Sequence, residues 1–329
     1  MNEGRLIPSL VLASFVVLIA ALTIGPWPMP VGDAFSALFG GGAPNDRVVI
    51  WEIRLPRAIA AFCVGAALGI SGAALQGLLR NPLAEPGVLG VSATASLAAV
   101  GVLYFGIARE VPILMPLASI AGAILATLFI GAVAMGSSSS VSLILVGAAL
   151  SSFAGALMSL LMSTAQDVYS LSDMVDWMMG SVSNRSLDDL LLAGPFIAAG
   201  AILLLTQGRG LSVLSLGEEA AHGAGLDLKR TRLLVTLGAG LAVGGAVSLA
   251  GIIGFVGIVA PHIVRPLVRR DPGRTLIPSA LLAGLMLTVS DIVIRILPTS
   301  AELKLGVVAA IVGAPIFAWI AARRRPSDG

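Results

Sequence analysis

Long apolar runs dominate the sequence, and short segments with charges or clusters of proline and glycine separate them. The runs are continuous and do not alternate every second residue, so they indicate helices rather than strands. A helix that crosses a bilayer needs roughly 20 mostly apolar residues. This pattern predicts an all-α integral membrane protein with about ten transmembrane helices. The predicted spans are 6–25, 55–79, 88–106, 112–135, 141–164, 187–206, 231–250, 251–268, 276–297 and 303–322.

The composition agrees with a chain embedded in lipid. Of the 329 residues, 57% are hydrophobic and 12% are charged, whereas a soluble domain carries about 25% charged residues. So few polar groups cannot cover a soluble protein of this length, and they also exclude disorder and nucleic-acid binding. The first run has the position of a signal peptide. We keep it as a span because its apolar stretch is too long and no small-residue cleavage site precedes Pro26.

The distribution of charge orients the chain. With ten spans, both termini lie on one side of the membrane. That side holds 13 of the 20 basic and 7 of the 18 acidic residues, a net charge of +6. The other side holds 7 basic and 11 acidic residues, a net charge of −4. Because basic residues concentrate on the cytoplasmic side of membrane proteins, we expect both termini to be cytoplasmic.

Residues for catalysis or ATP binding are not visible in the sequence. It has no G-x-x-x-x-G-K-[ST] phosphate loop, and neither of its two lysines, Lys229 and Lys304, follows such a pattern. The two histidines, His222 and His262, are too far apart for a metal motif, and Cys63 is the single cysteine. We therefore predict that this chain is not an enzyme and holds no metal or cofactor, so that ATP use belongs to a partner.

Ion coupling is disfavoured as well. Ion-coupled carriers keep acidic side chains or histidine at mid-membrane, whereas the acids of this sequence cluster between spans. Asp291, near one end of the ninth span, is one turn from Arg295, and we predict an ion pair between them. An ion-coupled secondary transporter and a membrane-embedded enzyme are the alternatives from other functional classes.

An internal repeat is weak but readable. Residues 57–69 (RAIAAFCVGAALG) match residues 232–244 (RLLVTLGAGLAVG), and each copy ends in a G-x-x-x-G pair. Such pairs are typical of close helix packing in membranes. The two copies start on opposite sides of the membrane, so the repeat is predicted to be inverted, as in many transporters.

A segment between the fifth and sixth spans is too short to cross. Residues 170–184 place apolar side chains on one helical face and Asp173 and Asp176 on the other. This pattern predicts a short amphipathic surface helix, and Ser170 followed by Asp173 predicts a capping box at its start.

The longest interruption that is predicted to be cytoplasmic is residues 207–230. Ser215 and Glu218 have the spacing of a second capping box, and we expect a short helix from Glu218 to Gly223 that ends by Gly225. Small residues dominate this helix, which suits docking into a groove of another protein.

Six motifs in order resemble the FecCD-type permease subunits of bacterial ABC importers for corrinoids, haem and ferric siderophores. The similarity covers nearly the whole chain, from about Trp51 to Arg323. The motifs are RLPR at 54–57, GISGAALQGLLRNPLAEPGVLGVS at 69–92, WMMGS at 177–181, LGEEAAHGAGL at 216–226, GFVGIVAPHIVR at 254–265 and AELKLGVVAAIVGAPIFAWI at 301–320.

The resemblance implies a type II ABC importer permease fold, one transmembrane domain over 1–329. Its inverted repeat halves are about 54–165 and 229–323, and 207–230 is the cytoplasmic coupling segment. The implied partners are a second copy of the chain, two ATP-binding cassette subunits that bind ATP and Mg, a periplasmic substrate-binding protein and membrane lipid. The implied location is the bacterial inner membrane, and nucleic acid is not an expected partner.

The resemblance also implies three groups of contact residues. For docking of the binding protein they are Arg54, Arg57 and Arg295. For ATPase coupling they are Glu218, Glu219 and His222. For a cytoplasmic gate they are Asn81, Leu83, Ser140 and Val141. The chain departs from the family at Val141, where a second small hydroxylated residue is expected. Haem is the leading cargo, and ferric siderophores and corrinoids are the alternatives.

Overall fold

The structure, a computed structural model, describes residues 3–136, 140–165, 167–298 and 301–322. Over these ranges the chain is helical and has no β-strand. A π-helical turn at Val49–Arg54 and 3₁₀ turns at Pro86–Leu89 and Arg265–Val268 join some of the α-helices. The α-helices are α1 (Glu3–Thr23), α2 (Val31–Leu38), α3 (Pro44–Val48), α4 (Leu55–Leu78), α5 (Val91–Tyr104), α6 (Ile107–Glu110), α7 (Leu114–Gly136), α8 (Ser140–Ser163), α9 (Val168–Met178), α10 (Leu187–Thr206), α11 (Gly208–Leu214), α12 (Glu218–Gly223), α13 (Leu228–Ala250), α14 (Val256–Val264), α15 (Pro272–Ile296) and α16 (Leu305–Ala322).

The predicted spans correspond one by one to helices of the structure. In the described ranges, seven helices are long and apolar enough to cross a membrane: α1, α4, α7, α8, α10, α13 and α15. Three shorter apolar segments, α5, α14 with its 3₁₀ turn, and α16, lie where the other three spans were predicted. The all-α multi-pass fold is therefore confirmed.

The eighth predicted span is wrong at its beginning. Helix α13 ends at Ala250, the backbone is irregular from Gly251 to Gly254, and α14 begins only at Val256. Gly251 has φ +69°, and a Cβ there would overlap the carbonyl oxygen of Trp177. The apolar pattern starts the span at residue 251 because hydropathy does not distinguish a helix from a glycine with positive φ, a conformation that glycine adopts without strain.

Helices α4 and α13 form the buried centre of the bundle, and most of their side chains are inaccessible to solvent. The G-x-x-x-G pair of α4 lies against backbone of α15, and the pair of α13 lies against side chains of α7. A Cβ on any of these four glycines would overlap the neighbouring helix. The overlaps are Gly65 with Ala283, Gly69 with Ser279, Gly240 with Thr127 and Gly244 with Ala123. The prediction that both pairs are packing motifs is confirmed.

The two central helices run in opposite directions. Helix α4 ends beside α11, where an added Cβ on Gly77 would lie 3.4 Å from the Leu211 side chain. Helix α13 begins beside the same helix, where an added Cβ on Gly210 would lie 3.5 Å from Oγ1 of Thr231. The two repeat copies are therefore antiparallel, as an inverted repeat requires.

Helix α9 is the amphipathic helix predicted within 170–184, but it starts earlier than predicted. Met174 and Trp177 are buried, and Asp173 and Asp176 are exposed. The predicted cap at Ser170 is wrong. The carboxylate of Asp167 caps the helix, because it accepts hydrogen bonds from the backbone N–H groups of Tyr169 and Ser170.

Candidate functional site

Arg54 is a buried residue at the start of α4, with 3% of its surface exposed. Its Nη1 donates hydrogen bonds to the carbonyl oxygens of Leu22 at 2.8 Å and Thr23 at 2.9 Å, and its Nη2 donates to the carbonyl of Trp27. The last carbonyls of a helix have no partner within the helix, so Arg54 caps the carboxyl end of α1. Its predicted docking role stays a prediction.

Arg57 and Arg295 share one carboxylate. Nε of Arg57 donates to Oδ1 of Asp291 at 2.8 Å, and Nε of Arg295 donates to Oδ2 of the same residue at 2.8 Å. The predicted ion pair between Asp291 and Arg295 is confirmed. Arg295 also donates to the carbonyl of Ala21 at 2.9 Å. The structure thus brings the three predicted arginines to one end of the bundle, which we call the arginine face.

Glu302 completes the arginine face, and sequence reasoning did not single it out. Its carboxylate pairs with Arg57, whose side chain is 11% exposed, and is itself 42% exposed. Desolvation opposes the ionisation of Glu302, but hydrogen bonding and charge from Arg57 outweigh it and lower its pKa. Two residues further on, Nζ of Lys304 lies 3.2 Å from Oδ2 of Asp176 on α9. The segment before α16 therefore contacts both α4 and α9.

The opposite end of the bundle holds the predicted coupling segment. Helix α12 has the predicted bounds, Glu218–Gly223, with Glu219 and His222 exposed and Ala221 buried beneath them. The predicted cap at Ser215 is wrong, because its Oγ donates to the carbonyl of Ser212 and the N-cap residue is Gly217 with φ +109°.

Glu218 has a structural contact that the sequence did not indicate. Its Oε1 accepts a hydrogen bond from Nη2 of Arg232 at 2.7 Å, and the Arg232 side chain is 4% exposed. This contact joins α12 to the second turn of α13. Of the three predicted coupling residues, Glu219 and His222 point to solvent, whereas Glu218 is partly committed to the fold.

The predicted gate residues lie on the turn after α4 and at the start of α8. Asn81 is exposed, and its Oδ1 accepts a hydrogen bond from the Leu83 N–H at 3.0 Å, which fixes the turn. Leu83 is 37% exposed and Val141 is 60% exposed. Ser140 begins α8, but its side chain lies outside the described part of the structure.

The same turn packs closely on α8. A Cβ on Gly147 would overlap the carbonyl of Val88 and lie 2.8 Å from Cα of Leu89. The Ser151 hydroxyl donates to the carbonyl of Gly87 at 3.4 Å. The two parts of the predicted gate therefore belong to elements in direct contact, although their gating role stays a prediction.

Glu85, in this turn, is a functional-site candidate that the sequence reasoning missed. Burial raises its pKa, and a hydrogen bond from the Phe255 N–H to its carboxylate opposes that shift. Phe255 follows the break between α13 and α14 and has φ +66°, a strained value for a bulky residue. The contact links the interrupted turns that precede α5 and α14. An acid within the apolar motif NPLAEPG is the signal that could have indicated it.

Antiparallel central helices related by an internal repeat, together with interrupted helices, are typical of membrane transport permeases. The model of the FecCD transport family matches residues 12–323. The chain belongs to this family and is a permease subunit of an ABC importer.

Individual relatives match over most of their length. The uncharacterized ABC transporter permease protein YvrB of Bacillus subtilis is 38% identical over 94% of this chain and 91% of its own. The vitamin B12 import system permease protein BtuC of Vibrio cholerae is 39% identical over 90% of this chain and 89% of its own. The hemin transport system permease protein HmuU of Yersinia pestis is 34% identical over 98% of both chains.

A solved structure has the same fold. It is described as an inward-facing conformation of a metal-chelate type ABC transporter, and it matches with a TM-score of 0.85 and 28% sequence identity. The match covers 98% of this chain and all of the other.

Proposed function

We propose that this permease moves a tetrapyrrole metal chelate, haem or a corrinoid, from the periplasm to the cytoplasm. The observation that carries the proposal is the family match over residues 12–323, together with relatives named for hemin transport and for vitamin B12 import. Haem is the cargo predicted from the sequence. The relative named for hemin transport matches more of this chain, whereas the relative named for vitamin B12 import has the higher sequence identity. A ferric siderophore is the weaker alternative, since none of the relatives reported above is named for one.

The proposed assembly contains two copies of this chain, two ATP-binding cassette subunits that hold ATP and Mg, and a periplasmic binding protein. Exposed apolar side chains of α8, such as Leu145 and Phe153, support a face that lipid or a second copy covers. The net charges of +6 and −4 on the two sides support cytoplasmic termini in the inner membrane. In this orientation the arginine face is periplasmic and α12 is cytoplasmic.

Reconstitution tests the transport proposal. The chain, its ATPase and its binding protein are placed in liposomes, and uptake of haem and of cyanocobalamin is measured separately. We expect ATP-dependent uptake of one of the two and no uptake by the chain alone. Uptake driven by a proton gradient without the ATPase would favour the ion-coupled alternative. ATP-dependent uptake of a ferric siderophore but neither tetrapyrrole would overturn the proposed cargo while leaving the transporter class intact.

The proposed docking role of the arginine face has its own test. Of its three arginines, Arg57 has the most exposed side chain and a partly exposed carboxylate partner, so an acidic partner reaches it by displacing Glu302. Charge complementarity of this kind speeds association, and salt screens it. We expect Arg57→Gln to slow binding-protein association most at low salt. Arg109→Gln is the matched control, because this arginine is exposed and pairs with Asp167 instead.

A further inference from the structure

A small cavity lies between α9 and the segment that leads into α10, beside the arginine face, because Ser183 of its lining hydrogen-bonds Glu302. Its volume is about 270 Å³. The carboxyl end of α13 and Lys304 close other sides of it. The polar or aromatic residues of its lining are Asp173, Asp176, Trp177, Ser181, Ser183, Asn184, Arg185 and Lys304.

Arg185 is the unusual member of this lining. Its guanidinium carbon lies 5.7 Å from the ring centroid of Trp177, so the cation is held over an aromatic face. Neither a hydrogen bond nor an ion pair joins its side chain to any part of the chain that the structure describes, and its Nε is buried without an acceptor. Burial lowers the pKa of Arg185. The negative charge of Asp189 raises it, but by less than burial lowers it.

Two carboxylates of the lining, Asp173 and Asp176, and the neighbouring Asp189 face groups other than Arg185. Asp189 accepts hydrogen bonds from both the backbone and the hydroxyl of Ser186 in the capping box that starts α10. Asp176 pairs with Lys304 at 3.2 Å, and Asp173 interacts electrostatically with Arg109. The charge of Arg185 is therefore uncompensated by a direct contact in this part of the fold.

The buried side-chain polar atoms that lack a partner in the described lining are both N–H donors. Trp177 is 7% exposed, and its Nε1, like Nε of Arg185, has no acceptor among the described residues. Arginine presents a planar fork of donors that matches the two oxygens of a carboxylate. The apolar wall of Leu103, Met115 and the Trp177 ring lowers the local dielectric and strengthens such a contact.

We propose that this cavity, which we call the Arg185 cavity, is a binding site for the carboxylate of a small molecule, held by Arg185 over the Trp177 ring. The volume suits a carboxylate-bearing group and excludes a helix or a folded segment of a partner. The hydroxyl of Ser181 and the amide of Asn184 supply further hydrogen-bonding groups at the lining, whereas the hydroxyl of Ser183 donates to Glu302. This site stands independently of the cargo proposed above.

Binding of succinate to the purified full chain in detergent tests the proposal, with saturation-transfer NMR as the readout. Succinamide, which has the same length and no charge, is the matched probe. We expect saturable succinate binding and at least tenfold weaker binding of succinamide. Equal binding of the two probes, or no saturable succinate binding, overturns the proposal without any variant and without bearing on transport.

Variants locate the binding. We expect Arg185→Gln to weaken succinate binding at least tenfold and Arg185→Lys to weaken it less, because lysine keeps the charge but loses the fork. Arg47→Gln is the control, because this arginine is exposed, donates to the carbonyl of Gly40 and does not line the cavity, so binding should be unchanged. Unchanged affinity in a folded Arg185→Gln overturns the site. If that variant fails to fold, Arg185→Lys decides: weaker binding in Arg185→Lys than in Arg47→Gln supports the location, and equal binding in the two overturns it.

Discussion

Asp291 on α15 holds Arg57 on α4 by a hydrogen bond of 2.8 Å between Oδ1 and Nε, and its other oxygen holds Arg295. The carboxylate is 1% exposed, so it is the buried centre of the arginine face. Two predicted docking residues thus depend on one acid, which also joins α15 to α4.

Replacement of Asp291 with alanine is expected to destabilise the protein by about 3–5 kcal/mol, because it leaves the buried guanidinium of Arg295 without its carboxylate and that of Arg57 with the exposed Glu302 alone. Thermal unfolding in one detergent measures the effect. Asp188→Asn is the control, since Asp188 is exposed in the first turn of α10 and its change should stay within about 0.5 kcal/mol. Equal losses of stability in the two variants would contradict a stabilising role of the ion pairs of Asp291.

Glu85 provides a pair of opposite substitutions. Glu85→Gln keeps an acceptor for the Phe255 N–H and removes the charge that burial disfavours. We therefore expect stability at pH 7 that equals or exceeds that of the wild-type chain. Glu85→Ala strands the N–H and is expected to cost about 1–3 kcal/mol.

The pH dependence of Glu85 has a defined sign. Because its pKa is raised in the folded chain, its contribution favours folding at low pH and is lost as the pH rises through the ordinary glutamic range, around 4.3, toward the folded value. Unfolding measured between pH 4 and pH 8 should show this slope in the wild-type chain and a shallower one in Glu85→Gln. An identical slope in both contradicts the assignment.

Asp167 is expected to show the reverse dependence. The hydrogen bond from Arg109 is the largest cause that lowers the pKa of Asp167, followed by the bond from the Tyr169 N–H. Its stabilisation of α9 is therefore present above the ordinary aspartic pKa, about 3.9, and is lost as the pH falls through the lower folded value. Amide exchange of Val168–Met178, corrected for intrinsic rates, should rise below pH 4. Asp167→Ala should remove this step.

Alanine substitutions at Gly72 and Gly101 distinguish the effect of helix packing on stability from that of helix propensity. A Cβ on Gly72 of α4 would overlap the carbonyl of Gly257, whereas a Cβ on Gly101 of α5 meets nothing within 4 Å. We expect Gly72→Ala to destabilise the chain by about 1–3 kcal/mol. Gly101→Ala should stabilise it by about 0.5–1 kcal/mol, since alanine is the better helix former. Thermal unfolding of both variants measures the difference, and a stabilising Gly72→Ala would contradict the close approach.

Two neighbouring acids on α12 are expected to differ. Glu218→Gln removes the carboxylate that Arg232 binds at 2.7 Å, so it should lower the stability of the isolated chain. Glu219→Arg changes an exposed side chain and should leave stability unchanged while weakening association with the ATPase subunit, more so at low salt. Unfolding and pull-down measurements on both variants test this separation. A stability loss in Glu219→Arg alone would reverse the two roles.

The apolar runs alone predict the ten helical segments, because the requirement to cross a bilayer fixes their length and composition. The sequence also predicts the ion pair of Asp291 with Arg295, since a spacing of four residues places both on one helix face. It misplaces both caps and the start of α14. Ser170 and Ser215 have the correct spacing, but Asp167 offers a charged acceptor and Gly217 a backbone that needs no side-chain cap.

The sequence could not show the contacts between distant segments. Glu302 with Arg57, Glu85 with Phe255 and Glu218 with Arg232 each join residues from different elements, and no periodicity records such a pairing. The sequence also could not show that Arg54 and Arg295 are buried, because both bind carbonyl groups of α1, which is distant in the sequence. An arginine at a span end has the same pattern whether it faces solvent or caps a neighbouring helix.

Glu302 contacts Arg57 on α4, and Lys304, two residues later, contacts Asp176 on α9. Two residues of extended chain reach only about 7 Å. The backbone positions of Glu302 and Lys304 can therefore move apart very little. The connection before α16 is in effect a short tether between α4 and α9. If these helices separate by more than the tether allows, one of the two ion pairs has to open first.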